Sequence, residues 1–161
     1  MAKCNAAGQF ATTGQIHSQI RLRSRAAGVS RRSLGPSPSV TAMPIIVVLT
    51  MAEASHEAEL DALRKAGHEL IVLEPRFPAC REALSSTRPA LVVVDGSHAP
   101  SHGRAAASWM AGQPRYRTVP FLFVDVLDRE MARVKKELPR AQFATWSSIV
   151  GASDRLAKRS E

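Results

Sequence analysis

Short runs of residues that are apolar without interruption most constrain this chain. "IIVVL" (45–49) and "ALVVV" (90–94) hold no polar side chain, and "VPFLFV" (119–124) holds none either. A strand with one face in water alternates apolar and polar residues. One that is apolar throughout is covered on both faces. Between the runs lie segments with helical spacing, such as "SHEAELDALRKAGH" (55–68) and "DREMARVKKEL" (128–138). Strands covered on both faces and alternating with helices predict a parallel sheet with helices on each side.

The pattern predicts strands at 45–49, 69–75, 90–95, 119–126 and 142–146. It predicts helices at 55–68, 78–87, 103–112, 128–138 and 148–159. Ser55 is the expected cap of the first helix and Gly67 its end, and Asp128 is the expected cap of the fourth. Cys80, Ala83 and Leu84 should face inward from the second helix, and Met131, Val134 and Leu138 from the fourth.

Composition narrows the function classes. Hydrophobic residues are 45% and charged residues 22% of the 161, which is ordinary for a globular core. No apolar run nears the roughly 18–20 residues that cross a bilayer, so no membrane association is expected. Cys4 and Cys80 form no C-x-x-C pair, which gives no zinc or redox motif and fits a reduced, cytoplasmic setting. The net charge of +8 is uneven. Residues 1–43 carry six Lys or Arg and no acid, whereas the rest carries 16 basic and 14 acidic residues. The nearly neutral part gives no electrostatic reason to expect a nucleic-acid partner.

Residues 1–43 read as a basic leader outside the fold, with "SLGPSPSVTA" as a linker. Three origins stay open: a disordered arm, an organellar transit peptide, or a true start at Met43. The last is favoured, because Met43 directly precedes the first strand.

In sheets of this kind ligands gather beyond the carboxyl ends of the strands, where the strand order reverses. Asp95 and Asp125 both end strands there. Asp95 is either a reactive acid or the cap of the loop "GSHAPSHG". Asp125 should lie beside it, where two carboxylates would repel unless a cation intervened. A metal held by Asp95, Asp125 and Glu53 is one candidate arrangement. His98 and His102 are spaced i, i+4, but Pro100 between them should break a helix, so they read as solvated loop residues.

"RPALVVVDG", at the end of the third of five strand–helix units, resembles the receiver domain of bacterial response regulators, which usually reads R-P-D-L-V-L-L-D there. "HELIVLEP" before a helix ending in "EAL" is similar to that family's second strand and helix. "RTVPFLFV" is similar to its fourth strand. The likeness spans residues 44 to about 158. It implies a doubly wound, flavodoxin-like five-stranded parallel sheet in the order 2-1-3-4-5. It implies a part in two-component signalling, with a histidine kinase or another signalling protein as partner.

The family's chemistry is phosphoryl transfer to the aspartate matching Asp95, with Mg²⁺ held partly by two acids after the first strand. A Ser or Thr after the fourth strand and a Lys after the fifth complete it. Here Leu49, Thr50 and Met51 stand where the acid pair belongs, and Glu53 comes late. Asp125 stands for the Ser or Thr, and Trp146 or Ser147 for the lysine. Trp146 would plug the space the lysine would reach.

The reading is a degenerate receiver-like module acting by protein–protein interaction, with no cofactor required and Mg²⁺ binding left open. It is not an enzyme, beyond self-phosphorylation from a phosphodonor at most. Two alternatives stay open: an active phosphorelay receiver using Asp95, and a metal- or small-molecule-binding α/β domain using the Asp95 and Asp125 rim. The haloacid-dehalogenase pattern fails, since Ser97 stands where its second aspartate belongs. G-x-G-x-x-G, P-loop and G-x-S-x-G motifs are missing.

Overall fold

The computed structural model describes residues 43–158. Apart from Met43, the expected leader lies outside the described residues. Five strands and five helices alternate: β1 (Ile45–Leu49), α1 (Glu57–Lys65), β2 (Glu69–Leu73), α2 (Ala79–Ser85), β3 (Leu91–Asp95), α3 (Pro100–Ala111), β4 (Phe121–Val124), α4 (Asp128–Glu137), β5 (Gln142–Ala144) and α5 (Ile149–Ala157). All neighbouring strands are parallel, in the order β2-β1-β3-β4-β5. The expected sheet and its order are both observed.

The two-residue period of a strand divides the core in two. Val47, Leu49, Val92, Val94, Phe121 and Phe123 face one layer, with Cys80 and Leu84 of α2, Ala106, Ala107 and Met110 of α3, and Val134 of α4. Ile46, Val48, Leu91, Val93, Leu122 and Val124 face the other, with Leu60 and Leu63 of α1 and Ile149, Ala152 and Leu156 of α5. Every residue of β3 is buried, which is why its sequence shows no alternation. The chain winds from β1 outward to β2, then returns past β1 to β3. That reversal opens a crevice above β1 and β3, at Thr50 and Asp95.

Several predicted ends shift, and each shift has a local cause. Residues Glu53–His56 form a 3₁₀ turn ahead of α1, so His56, not Ser55, takes the N-cap position. Leu127, not Asp128, takes the N-cap position of α4, without a side-chain cap bond, and Asp128 enters its first turn. Ala83 is exposed, while Cys80 and Leu84 are buried as expected. Pro100 starts α3 instead of breaking it, since a proline at the first helical position loses no hydrogen bond. β5 stops at Ala144, and Trp146 opens a 3₁₀ turn held by reciprocal Thr145 and Ser148 caps.

Gly96 shows how tightly the rim is drawn. Its N–H donates to the Val124 carbonyl at 2.8 Å, and a Cβ there would sit 2.9 Å from the Val126 Cα. Only glycine lets the end of β3 lie this close to the loop after β4.

Candidate functional site

Asp95 stands at the centre of the crevice, 1% exposed. β3 delivers it there because strand pairing holds to its last residue, which is in register with Val124. A buried carboxylate needs partners, and two loops provide them. From the loop after β1, the Thr50 hydroxyl donates to Asp95 Oδ2 at 2.8 Å. That hydroxyl also accepts the Ala52 N–H at 3.0 Å, which fixes its direction. From the loop after β3, Ser97 donates its N–H and its hydroxyl to Oδ1, at 2.9 and 2.6 Å. This is an Asx-type turn, with the side chain standing in for a backbone acceptor.

Two histidines complete the surround. His56 Nε2 is 3.7 Å and His98 Nδ1 3.5 Å from Asp95 Oδ2. His98 Nδ1 is also 2.8 Å from the Ser97 oxygen. The Ser97 proton is given to Asp95, so the hydrogen between Ser97 and His98 belongs to the imidazole. The His56 ring stacks on Trp146, with centroids 4.1 Å apart and planes 16° apart. Burial pushes the Asp95 carboxyl up. Hydrogen bonds from the Ser97 side chain, the Ser97 backbone and Thr50, with the charge of His56, outweigh burial and hold it below its ordinary range.

The rim residues expected from the sequence separate into two groups. Thr50 and Trp146 belong to the site: Thr50 is buried against Asp95, and Trp146 is buried behind His56. Among the described residues the cluster of potential ligands is Asp95, His56 and His98, and the expected Asp125 and Glu53 lie outside it. Asp125 is exposed, because the chain leaves β4 at Val124 and turns through a left-handed residue (φ 48°) at Asp125 itself. Glu53 is exposed in the 3₁₀ turn. Ser147 is exposed and bonds Thr145 across 2.8 Å. His102 is exposed on α3, apart from the group that includes His98.

His56 was missed by sequence reasoning. Its one signal was position: a histidine shortly after the first strand, on the loop that must cross the crevice. A hollow of about 450 Å³ lies at the opposite end of the sheet, walled by Tyr116, Pro120, Leu138 and Ala141. It contains none of these groups, so the chemistry belongs to the Asp95 end.

Strand order, winding and an aspartate closing the third strand together decide the fold, and solved structures agree. The chain has the receiver fold. It is similar to a putative response regulator from Chloroflexus aurantiacus, at 12% identity and a TM-score of 0.62, covering 73% of this chain and 99% of that one. It is similar to the signal receiver domain of a signal transduction histidine kinase from Syntrophus aciditrophicus, at 24% identity and a TM-score of 0.58, covering 72% and 91%. It is also similar to the Mn²⁺-bound form of response regulator Rcp1, at 18% identity and a TM-score of 0.54, covering 69% and 92%. No family model and no curated protein matches the sequence.

The receiver fold implies a hard divalent ion, and the residues present do not fit one. Mg²⁺ wants about six oxygen ligands in an octahedron. Where the family has a pair of acids, this chain has Leu49 buried in the core and Thr50 donating a proton to Asp95. Oδ1 is already taken twice by Ser97.

Proposed function

We propose that this chain is a receiver-like signalling module that acts by binding a protein partner and is not switched by phosphoryl transfer to Asp95. One observation carries the reading: both oxygens of the buried Asp95 carboxylate are engaged by donors of the protein itself. An acceptor must present a free oxygen to the incoming phosphorus, in line with the leaving group, beside a cation that offsets the charge. Here Ser97 takes Oδ1 twice and Thr50 takes one lone pair of Oδ2, and what remains of Oδ2 faces two imidazoles in place of the acid pair that would hold a hard cation beside it. The residue after β5 that is buried against His56 is Trp146 and not a lysine, which supports a rim without that ammonium. Each missing electrostatic contact of this kind costs about 10²- to 10³-fold in rate.

The partner in this reading is a histidine kinase or another signalling protein in the cytoplasm. Receiver-fold neighbours are described as parts of a histidine kinase and of a modulated diguanylate cyclase, which supports a signalling context. Among the described residues no helix is long and apolar enough to cross a membrane.

Mass spectrometry after incubation with acetyl phosphate and millimolar Mg²⁺ tests the proposal. The expected spectrum shows the unmodified chain. A stoichiometric phosphoryl adduct that disappears in Asp95→Asn would restore the phosphorelay reading.

A further inference from the structure

Two imidazoles and one carboxylate meet in the crevice, and receiver chemistry uses neither imidazole. His56 Nε2 and His98 Nδ1 approach the same oxygen, Asp95 Oδ2, at 3.7 and 3.5 Å. The three ligand atoms lie within 4.8 Å of one another. On a tetrahedral ion with bonds of about 2.0–2.1 Å, ligand atoms stand about 3.3 Å apart. Both histidine–aspartate edges are already near that length. The histidine–histidine edge closes by movement of His98, whose side chain is 51% exposed on a loop.

His56 gives a second, independent observation. Its Nε2 is buried, points at the carboxylate and has no hydrogen-bond partner. The stack on Trp146 holds the ring in that attitude. A buried polar atom without a partner is rare and calls for an explanation, and a ligand bound there gives one. The surrounding donors also suit such a site. Thr50 takes one lone pair of Oδ2 and leaves another facing the histidines, while Ser97 fixes Oδ1. Outer hydrogen bonds of this kind orient ligating groups.

We propose that His56, Asp95 and His98 bind one divalent first-row transition ion of the zinc class, with a coordination position open to solvent beside His98. Imidazole nitrogen favours Zn²⁺, Co²⁺, Ni²⁺ and Cu²⁺, whereas Mg²⁺ selects oxygen. Binding breaks the contact between His98 Nδ1 and Ser97, shifts the imidazole proton from Nδ1 to Nε2, and leaves the Ser97 hydroxyl on Asp95. The site stands on these side chains alone and does not depend on the signalling role.

The test is a titration of the full-length chain, free of any affinity tag and stripped by chelator, with Co²⁺ followed by visible absorption and Zn²⁺ followed by calorimetry. The expected result is one equivalent bound, with the intense absorption of low-coordinate Co²⁺, unaffected by millimolar Mg²⁺. Co²⁺ should also quench Trp146 fluorescence, and the quenching should vanish in Trp146→Phe. His98→Ala and His56→Ala should each weaken binding at least about tenfold, and His102→Ala should leave it unchanged. If His56→Ala fails to fold, His98→Ala decides alone, because that side chain is half-exposed on a loop. No binding at sub-millimolar ion, or binding unchanged in His98→Ala, overturns the proposal.

Discussion

β3 and β4 lie side by side in the sheet; Asp95 is the last residue of β3, and Asp125 comes just after β4. Asp95 is enclosed, bonded to two loops and faced by two histidines. Asp125, one residue past the partner of Asp95, is exposed. The strands treat the two acids alike; the loops do not. The loop after β1 crosses over Asp95 and brings Thr50 and His56, and the loop after β3 folds back with Ser97 and His98. A strand end offers a position, and the crossing loops decide whether it becomes a site.

The hardest way to break this comparison is to move a carboxylate two residues down β3. Val93 is fully buried between the sheet and the α1 and α5 layer. Val93→Asp puts a charge where no loop can reach it. The expected loss is about 4 kcal/mol or more, enough to unfold most domains. A soluble Val93→Asp protein with an ordinary melting curve would show that donors are not what makes Asp95 tolerable.

The next test removes the acids themselves. Where several carboxylates crowd one rim, losing one relieves repulsion and stabilises the fold. Asp95 instead sits among donors. Asp95→Ala leaves the Thr50 hydroxyl and the Ser97 N–H without an acceptor, for an expected loss of about 2–4 kcal/mol. Asp125→Ala should leave the denaturation midpoint nearly in place. Urea unfolding of the two variants measures the contrast, and equal midpoints would erase it.

The same contrast marks what the sequence made legible. Strands apolar at every position admit one environment, so the sheet could be read from "IIVVL" and "ALVVV", and Asp95 from its place at a strand end. The partners of Asp95 were harder to foresee. Thr50 lies 45 residues away in the chain, and His56 reaches Asp95 only because a 3₁₀ turn precedes α1. Asp125 was expected beside Asp95, since a strand pattern does not show that the chain turns left-handed at its end. Helix ends drifted for a related reason. Ser55 is a good cap by type, but the turn passed that position to His56.

Acid titration reads the enclosed carboxylate. The Asp95 carboxyl is held below its ordinary value in the folded chain. The unfolded chain therefore binds the proton more readily. Stability from Asp95 is present above the ordinary carboxylate pKa of about 4 and is lost as pH falls through the folded value. Asp95→Asn should flatten the acid limb of a stability–pH curve, and the difference from the parent chain should shrink at the lowest pH. A full acid limb in Asp95→Asn would assign the dependence to other carboxylates.

The smallest expected effect compares the two loops through their backbones. Each carries one non-glycine residue in the left-handed region: Ala99 (φ 47°) before α3 and Asp125 (φ 48°) after β4. Aspartate tolerates this conformation, because its short polar side chain can bond locally, whereas alanine has only the Cβ clash. Glycine removes the clash, and it is acceptable at the N-cap position that Ala99 fills. Ala99→Gly should therefore stabilise the fold by about 0.5–1 kcal/mol, after the extra freedom glycine gives the unfolded chain is subtracted. Asp125→Gly should give less, because less strain is there to relieve. Both loops take the same left-handed turn, and the one beside Asp95 takes it with the residue type that tolerates it less. Differential scanning calorimetry on the two variants measures the order. A larger rise for Asp125→Gly would place the strain on the open side of the rim and reverse the comparison.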